Sequence, residues 1–161
     1  MDDKILTRAK NAAYRLLTYR PRSRAELRSK LKDKEYDDAI IKAVLEHLDR
    51  LGYLNDREFA RQWAAARIRA RGFGRRRIEK ELRNKGIEPE IVREILSEML
   101  PDDTELATAM QQASKKLKTL SRFDHDVRRR RLAGHLERKG FPPSVIRDVL
   151  RNVSREEMLL D

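Results

Sequence analysis

The sequence predicts an all-α protein built from three tandem three-helix repeats. Internal repetition is the first observation behind this. The apolar skeleton Ile78, Leu82, Ile87, Ile91-Val92, Ile95-Leu96 recurs 51 residues earlier as Leu27, Leu31, Tyr36, Ile40-Ile41, Val44-Leu45. It recurs again 54 residues later as Leu132, Leu136, Phe141, Val145-Ile146, Val149-Leu150. A period near fifty residues marks a repeat architecture. The second observation is that apolar residues fall at helical spacing throughout, with no strand-like alternation. A three-helix unit of this size buries little by itself, so stacking on a neighbour supplies each repeat with a second buried face. The expected product is an elongated array able to curve at its junctions, with repeats at residues 1–54, 55–100 and 101–161.

Each element has a local reason. The first helix, residues 4–20, carries Ala9, Ala12, Ala13, Leu16 and Leu17 on one face and stops at Pro21, which lacks a donor and restricts the residue before it. Ser23 with Glu26 three positions on forms a capping box for the second helix, which runs to about residue 32. The third, residues 37–51, places Ile40, Ile41, Val44, Leu45, Leu48 and Leu51 on one stripe and closes at Gly52. Asn55 and Glu58 cap the fourth helix, whose inner face is Phe59, Ala60, Trp63 and Ala66. Gly72-Phe73-Gly74 breaks it. The fifth helix spans about residues 75–85 and ends at Gly86, and Pro89 opens the sixth. Asp102 with Glu105 reads as the next cap pair, and residues 121–126 as a break. The eighth helix ends at Gly140, Pro142-Pro143 starts the ninth, and residues 154–161 read as a frayed tail or a short final turn.

The chain has 161 residues, of which 39% are hydrophobic and 40% charged. That charge is well above the usual quarter, so cores are thin and helix surfaces large. No segment approaches the roughly 20 apolar residues of a membrane span. No apolar signal core follows the acidic Met1-Asp2-Asp3, and there is no cysteine, which removes disulfides and thiolate metal sites. These features predict a cytoplasmic protein. The net charge of +11 points to an acidic partner, nucleic acid first.

The charge is not evenly spread. Residues 1–35, 67–85 and 115–139 carry nets of +6, +7 and +7, whereas residues 36–66, 86–114 and 140–161 carry −2, −6 and −1. The basic segments cover the middle helix of each repeat and its approach. In a stacked array those helices could align into one basic seam, which suits an extended anionic partner. The expected binding residues are Arg24, Arg28, Arg67, Arg71, Arg75, Arg76, Arg77, Lys115, Lys116, Arg128, Arg129, Arg130 and Arg131. Arg71, Arg75, Arg76 and Arg77 are expected to be mostly exposed, together with several of Arg128, Arg129, Arg130 and Arg131, because consecutive arginines spread around a helix circumference and cannot all be buried. A single basic run is ordinarily a solvated helix face; three runs at equivalent repeat positions favour binding.

Catalytic signals are weak. Gly72-Phe73-Gly74 follows a helix and lacks a Gly-Lys-Ser/Thr sequel, so it reads as a helix stop rather than a phosphate loop. His47, His125 and His135 lack the partner spacing of a metal site. Phe59 and Trp63 read as core, which leaves few aromatics for base stacking. No enzyme activity, cofactor or metal is expected.

The motifs resemble a known family. Tyr19-Arg-Pro-Arg-Ser-Arg-Ala-Glu-Leu27 with Lys30-Leu31 looks like the first-repeat signature of the bacterial RecX regulatory proteins. Gly52-Tyr-Leu-Asn-Asp-Arg-Glu-Phe-Ala60, Gly74-Arg-Arg-Arg-Ile78, Glu81-Leu82 and Lys85-Gly86-Ile87 look like the second; Lys139-Gly-Phe141 with Val145-Ile146 looks like the third. The resemblance covers about residues 8–153. Arg75 departs from it, since many members carry proline there. The resemblance implies three tandem three-helix repeats and a role in DNA recombination, repair and the SOS response. It implies a monomeric protein that binds the recombinase RecA, chiefly as its filament on DNA, and inhibits its ATPase, strand-exchange and co-protease activities. Insertion in the filament groove and blocking of the growing end both fit. The alternative is a helical DNA-binding protein acting on nucleic acid directly.

Overall fold

The computed structural model describes residues 2–160, with the side chains of residues 2–157. Helices follow one another as α1 (Asp3–Tyr19), α2 (Arg24–Asp33), α3 (Asp38–Arg50), α4 (Asp56–Arg71), α5 (Arg75–Asn84), α6 (Pro89–Met99), α7 (Asp102–Lys118), α8 (His125–Lys139) and α9 (Pro143–Leu160). No strand occurs among the described residues. The chain forms two compact units, Met1–Gln62 with Leu82–Val92, and Trp63–Glu81 with Arg93–Asp161. The division falls inside the second repeat, so α5 begins in one unit and ends in the other.

In the first unit α1, α2 and α3 enclose a core of Ala9, Ala13, Leu27, Leu31, Ile40, Ile41, Val44, Leu45 and Leu48, joined by Leu54. The alanines of α1 have no bulk to hold the helices apart, and the aliphatic side chains of α2 and α3 fill the space between. Ser23 caps α2 as expected: its Oγ accepts from the Glu26 N–H at 3.1 Å, and the Ser23 N–H donates to Glu26 Oε2 at 3.1 Å. The same hydroxyl donates to the Lys85 carbonyl at 2.6 Å, which explains why a serine is fully buried there.

Glu26 does more than close the cap. It meets Arg20 at 3.0 Å and the Lys85 ammonium at 2.6 Å. Burial pushes its carboxyl up, but hydrogen bonds from Arg20, Lys85 and the Ser23 backbone outweigh this and hold it at about 2, below the ordinary 4.5. A depressed folded-state value means the carboxylate contributes stability that is complete above about pH 4.5 and is lost as pH falls towards 2. The urea midpoint should therefore fall across that window in the native protein, and the fall should flatten in Glu26→Gln.

In the second unit α7, α8 and α9 enclose Ala109, Ala113, Leu132, Leu136, Phe141 and Val149. Ile78, Ile95, Leu96 and Leu100 are also buried. Four expectations are corrected here. Asp102 does not cap α7: Pro101 holds the cap position without a side-chain bond, and Asp102 lies in the first turn, where its charge favours the helix N-terminus. On α4, Ala64 is buried and Ala66 exposed, because the inner stripe steps by four from Ala60. On α6, Val92 is buried, and Ile91, expected in one buried cluster with Ile78, Leu82 and Ile95, is only half-buried. Beyond Ser154, α9 continues as helix to Leu160 instead of fraying.

Candidate basic interface

Each unit contains a junction that ties the start of one middle helix to the end of the next. In the first unit it is the bond from Ser23 to the Lys85 carbonyl. In the second, the Gly74 N–H donates to the Lys139 carbonyl and the Arg76 N–H to the Gly140 carbonyl, both at 2.9 Å. Positions 23 and 74, and 85 and 139, are equivalent under the repeat. Free donors at the α5 N-terminus thus meet free acceptors at the α8 C-terminus, and the opposed helix partial charges attract.

The junction explains the glycines. Gly140 has φ +95°, and a Cβ there would lie 2.4 Å from the Arg77 Cβ. Gly86 has φ +75°, and its Cβ would lie 2.3 Å from that of Ala25. The equivalent residue of the first repeat is Glu35, also left-handed at φ 65° but exposed, so a side chain has room.

Around the second junction, basic side chains gather on Phe73, which is buried. The Arg77 guanidinium lies 4.0 Å from the ring centroid and the Lys139 ammonium 5.4 Å. Each also holds a helix-end carbonyl: Arg77 Nη1 donates to Arg138 O at 3.1 Å, and Lys139 Nζ to Arg71 O at 2.8 Å. Burial, then the charges of Arg77, Arg71 and Lys115, push the Lys139 ammonium below its ordinary range. The three charges that lower it belong to cations. Aromatic contact and carbonyl acceptors hold this cluster together against its own repulsion.

The structure divides the expected binding residues into two sets. Arg71, Arg76, Arg77, Lys115, Arg129, Arg130 and Arg131 are exposed, and Lys116 is half-buried. Arg131 lies 4.1 Å over the Phe123 ring. The others are tied to acids. Arg75 is half-buried rather than exposed: its N–H and Nε donate to the buried Glu105 at 2.7 and 3.2 Å, and its Nη2 to Leu100 O at 2.7 Å. Arg67 meets Glu81 at 3.0 Å and stacks on Trp63 at 4.4 Å, while Trp63 Nε1 donates to the same carboxylate at 2.9 Å. Arg128 is half-buried and meets Glu157 at 3.1 Å. In the first unit Arg24 pairs with Asp49, and Arg28 lies 3.8 Å from Asp38. Both expected binding arginines of the first repeat are therefore paired with acids of α3.

Sequence reasoning missed Lys139, whose single charge looked like a helix-end residue. It also missed Arg147, Arg151 and Arg155, which lie in a segment of net −1 but recur every fourth residue along α9. Among the described residues no group of three or more His, Cys, Asp or Glu side chains gathers as metal ligands do. No helix among them is long and apolar enough to cross a membrane.

Three-helix units in tandem define the class: a helical-repeat protein. Family models described as the first, second and third three-helix domains of RecX match residues 9–48, 55–96 and 103–150. The chain belongs to the RecX family of regulatory proteins. It is 35% identical over 158 residues to the regulatory protein RecX of Amycolatopsis mediterranei (strain U-32), covering 96% of this chain and 90% of that one. It is 38% identical over 147 residues to that of Mycolicibacterium smegmatis (strain ATCC 700084 / mc(2)155), covering 88% and 77%. The crystal structure of RecX from Lactobacillus salivarius shares the fold, with a TM-score of 0.85 at 22% identity over 92% of this chain and 96% of that one.

Proposed function

We propose that the protein is a negative regulator of RecA that binds the RecA–DNA filament and inhibits its ATPase, strand-exchange and co-protease activities. The observation that carries this reading is the gathering of Arg77 and Lys139 on Phe73 with Arg71 and Lys115 nearby, where burial first and then the neighbouring positive charges lower the Lys139 ammonium. An anionic surface laid against it gains more than it would from scattered charges, because it also relieves the repulsion among them. A filament offers such a surface in acidic side chains and DNA phosphates together. Family membership supports the regulatory role. In this reading the chain works as a cytoplasmic monomer with repeats at 1–54, 55–100 and 101–161, and acts by binding alone.

The test is a RecA ATPase titration on single-stranded DNA. Arg71→Glu with Arg76→Glu is the informative variant, since both side chains are exposed. Arg77 is a poorer choice, because it also holds Arg138 O and covers Phe73. The double variant should raise the half-inhibitory concentration about tenfold or more, equivalent to ~1.4 kcal/mol, with unchanged helical signal and melting temperature. Inhibition by the native protein should weaken as salt rises, through screening and counterion release. A folded double variant that inhibits at native concentrations would remove the central repeat from the interface.

A further inference from the structure

We propose that the last repeat carries a second anion site, a cleft between α8 and α9 that takes the phosphate backbone of a single nucleic-acid strand. The cleft has a volume of about 430 Å³ and is lined by Arg129, Arg147, Arg151, Ser154 and Arg155. Arg147, Arg151 and Arg155 are exposed and follow one another at four-residue steps, which puts them on one face of α9, about 6 Å apart along its axis. Arg129 reaches the same cleft from α8 and donates to Ser154 Oγ at 3.1 Å, which fixes its guanidinium at the rim. Asp148 lies 3.6 Å from Arg151, with both side chains more than half exposed. Glu157 is engaged by Arg128 and His125 at 3.1 and 3.4 Å. Four guanidiniums thus line one opening, and no carboxylate is among its lining residues.

The chemistry favours phosphate over carboxylate. Guanidinium forks bind phosphate oxygens bidentately, and a row of them at regular steps matches a chain of regularly spaced anions. Protein interfaces anchor on buried aromatic and apolar residues, and none lines this cleft. The absence of an aromatic platform in the lining also means that bases are not read, so binding is indifferent to sequence. This site stands apart from the RecA reading, because its assay contains no recombinase.

Fluorescence anisotropy with a labelled oligothymidylate tests it on the full chain. Arg147→Glu/Arg151→Glu/Arg155→Glu should weaken binding about tenfold or more and make the salt dependence shallower by about 2, the value for three lost contacts to a single strand. Lys30→Glu/Lys34→Glu/Arg50→Glu changes the net charge equally at exposed positions outside the cleft, and should stay within about twofold of native affinity. If the Glu triple melts early, the Arg→Gln triple replaces it. Equal losses in the two triples would overturn the site in favour of diffuse charge. Displacement of the oligonucleotide by polyglutamate at equal charge concentration would overturn phosphate in favour of an acidic protein.

Discussion

Glu105→Ala should cost about 3–5 kcal/mol, the range for removing one partner of a buried ion pair. Glu105 is 2% exposed and accepts both the Arg75 N–H and the Arg75 Nε, so one truncation leaves a backbone donor and a guanidinium without their acceptor. At this chain length the melting temperature should fall on the order of 10 °C. Glu105→Gln keeps an oxygen for the N–H and should lose less. The cost of Glu105→Ala should also shrink in an Arg75→Ala background, where only the backbone donor is orphaned. Equal costs in both backgrounds would show that the side-chain pair contributes nothing.

Leu82→Ala should cost on the order of 2–5 kcal/mol. Leu82 is fully buried on α5, so truncation removes apolar contact and leaves a cavity. The half-buried Ile91 is the control, since its site opens to solvent and Ile91→Ala should cost distinctly less. A thermal midpoint unchanged by Leu82→Ala would remove this position from the core.

Helix order and repeat equivalence were legible because they rest on spacing along the chain. Ser23 with Glu26, Asn55 with Glu58, and Gly140 after Lys139 act over a few residues, so sequence alone exposes them. Asp102 with Glu105 carries the same letters and misleads. The acid is drawn away from its own helix end by Arg75, thirty residues earlier, and no local pattern contains that partner. The binding residues divide for the same reason. Arg75 and Arg76 are neighbours of equal chemistry, yet one faces a buried carboxylate and the other solvent. Net charge per segment located the cluster near Phe73 but concealed α9, where acids elsewhere in the same segment cancel its arginines in the count.

The bonds from Gly74 and Arg76 to the carbonyls of Lys139 and Gly140 bear on how such a chain can change length over evolution. A cut at Pro101 would strand those two amide donors and deprive Arg75 of Glu105. The upstream piece would then present a raw helix start and an unmatched cation to water. Loss of the last repeat therefore requires compensating substitutions in the one before it, such as a side-chain cap at position 74. Ser23 already supplies one at the equivalent position of the first repeat. The sequence periods are not the pieces that could be traded freely, and recombination between relatives should succeed more often inside repeats than at their borders.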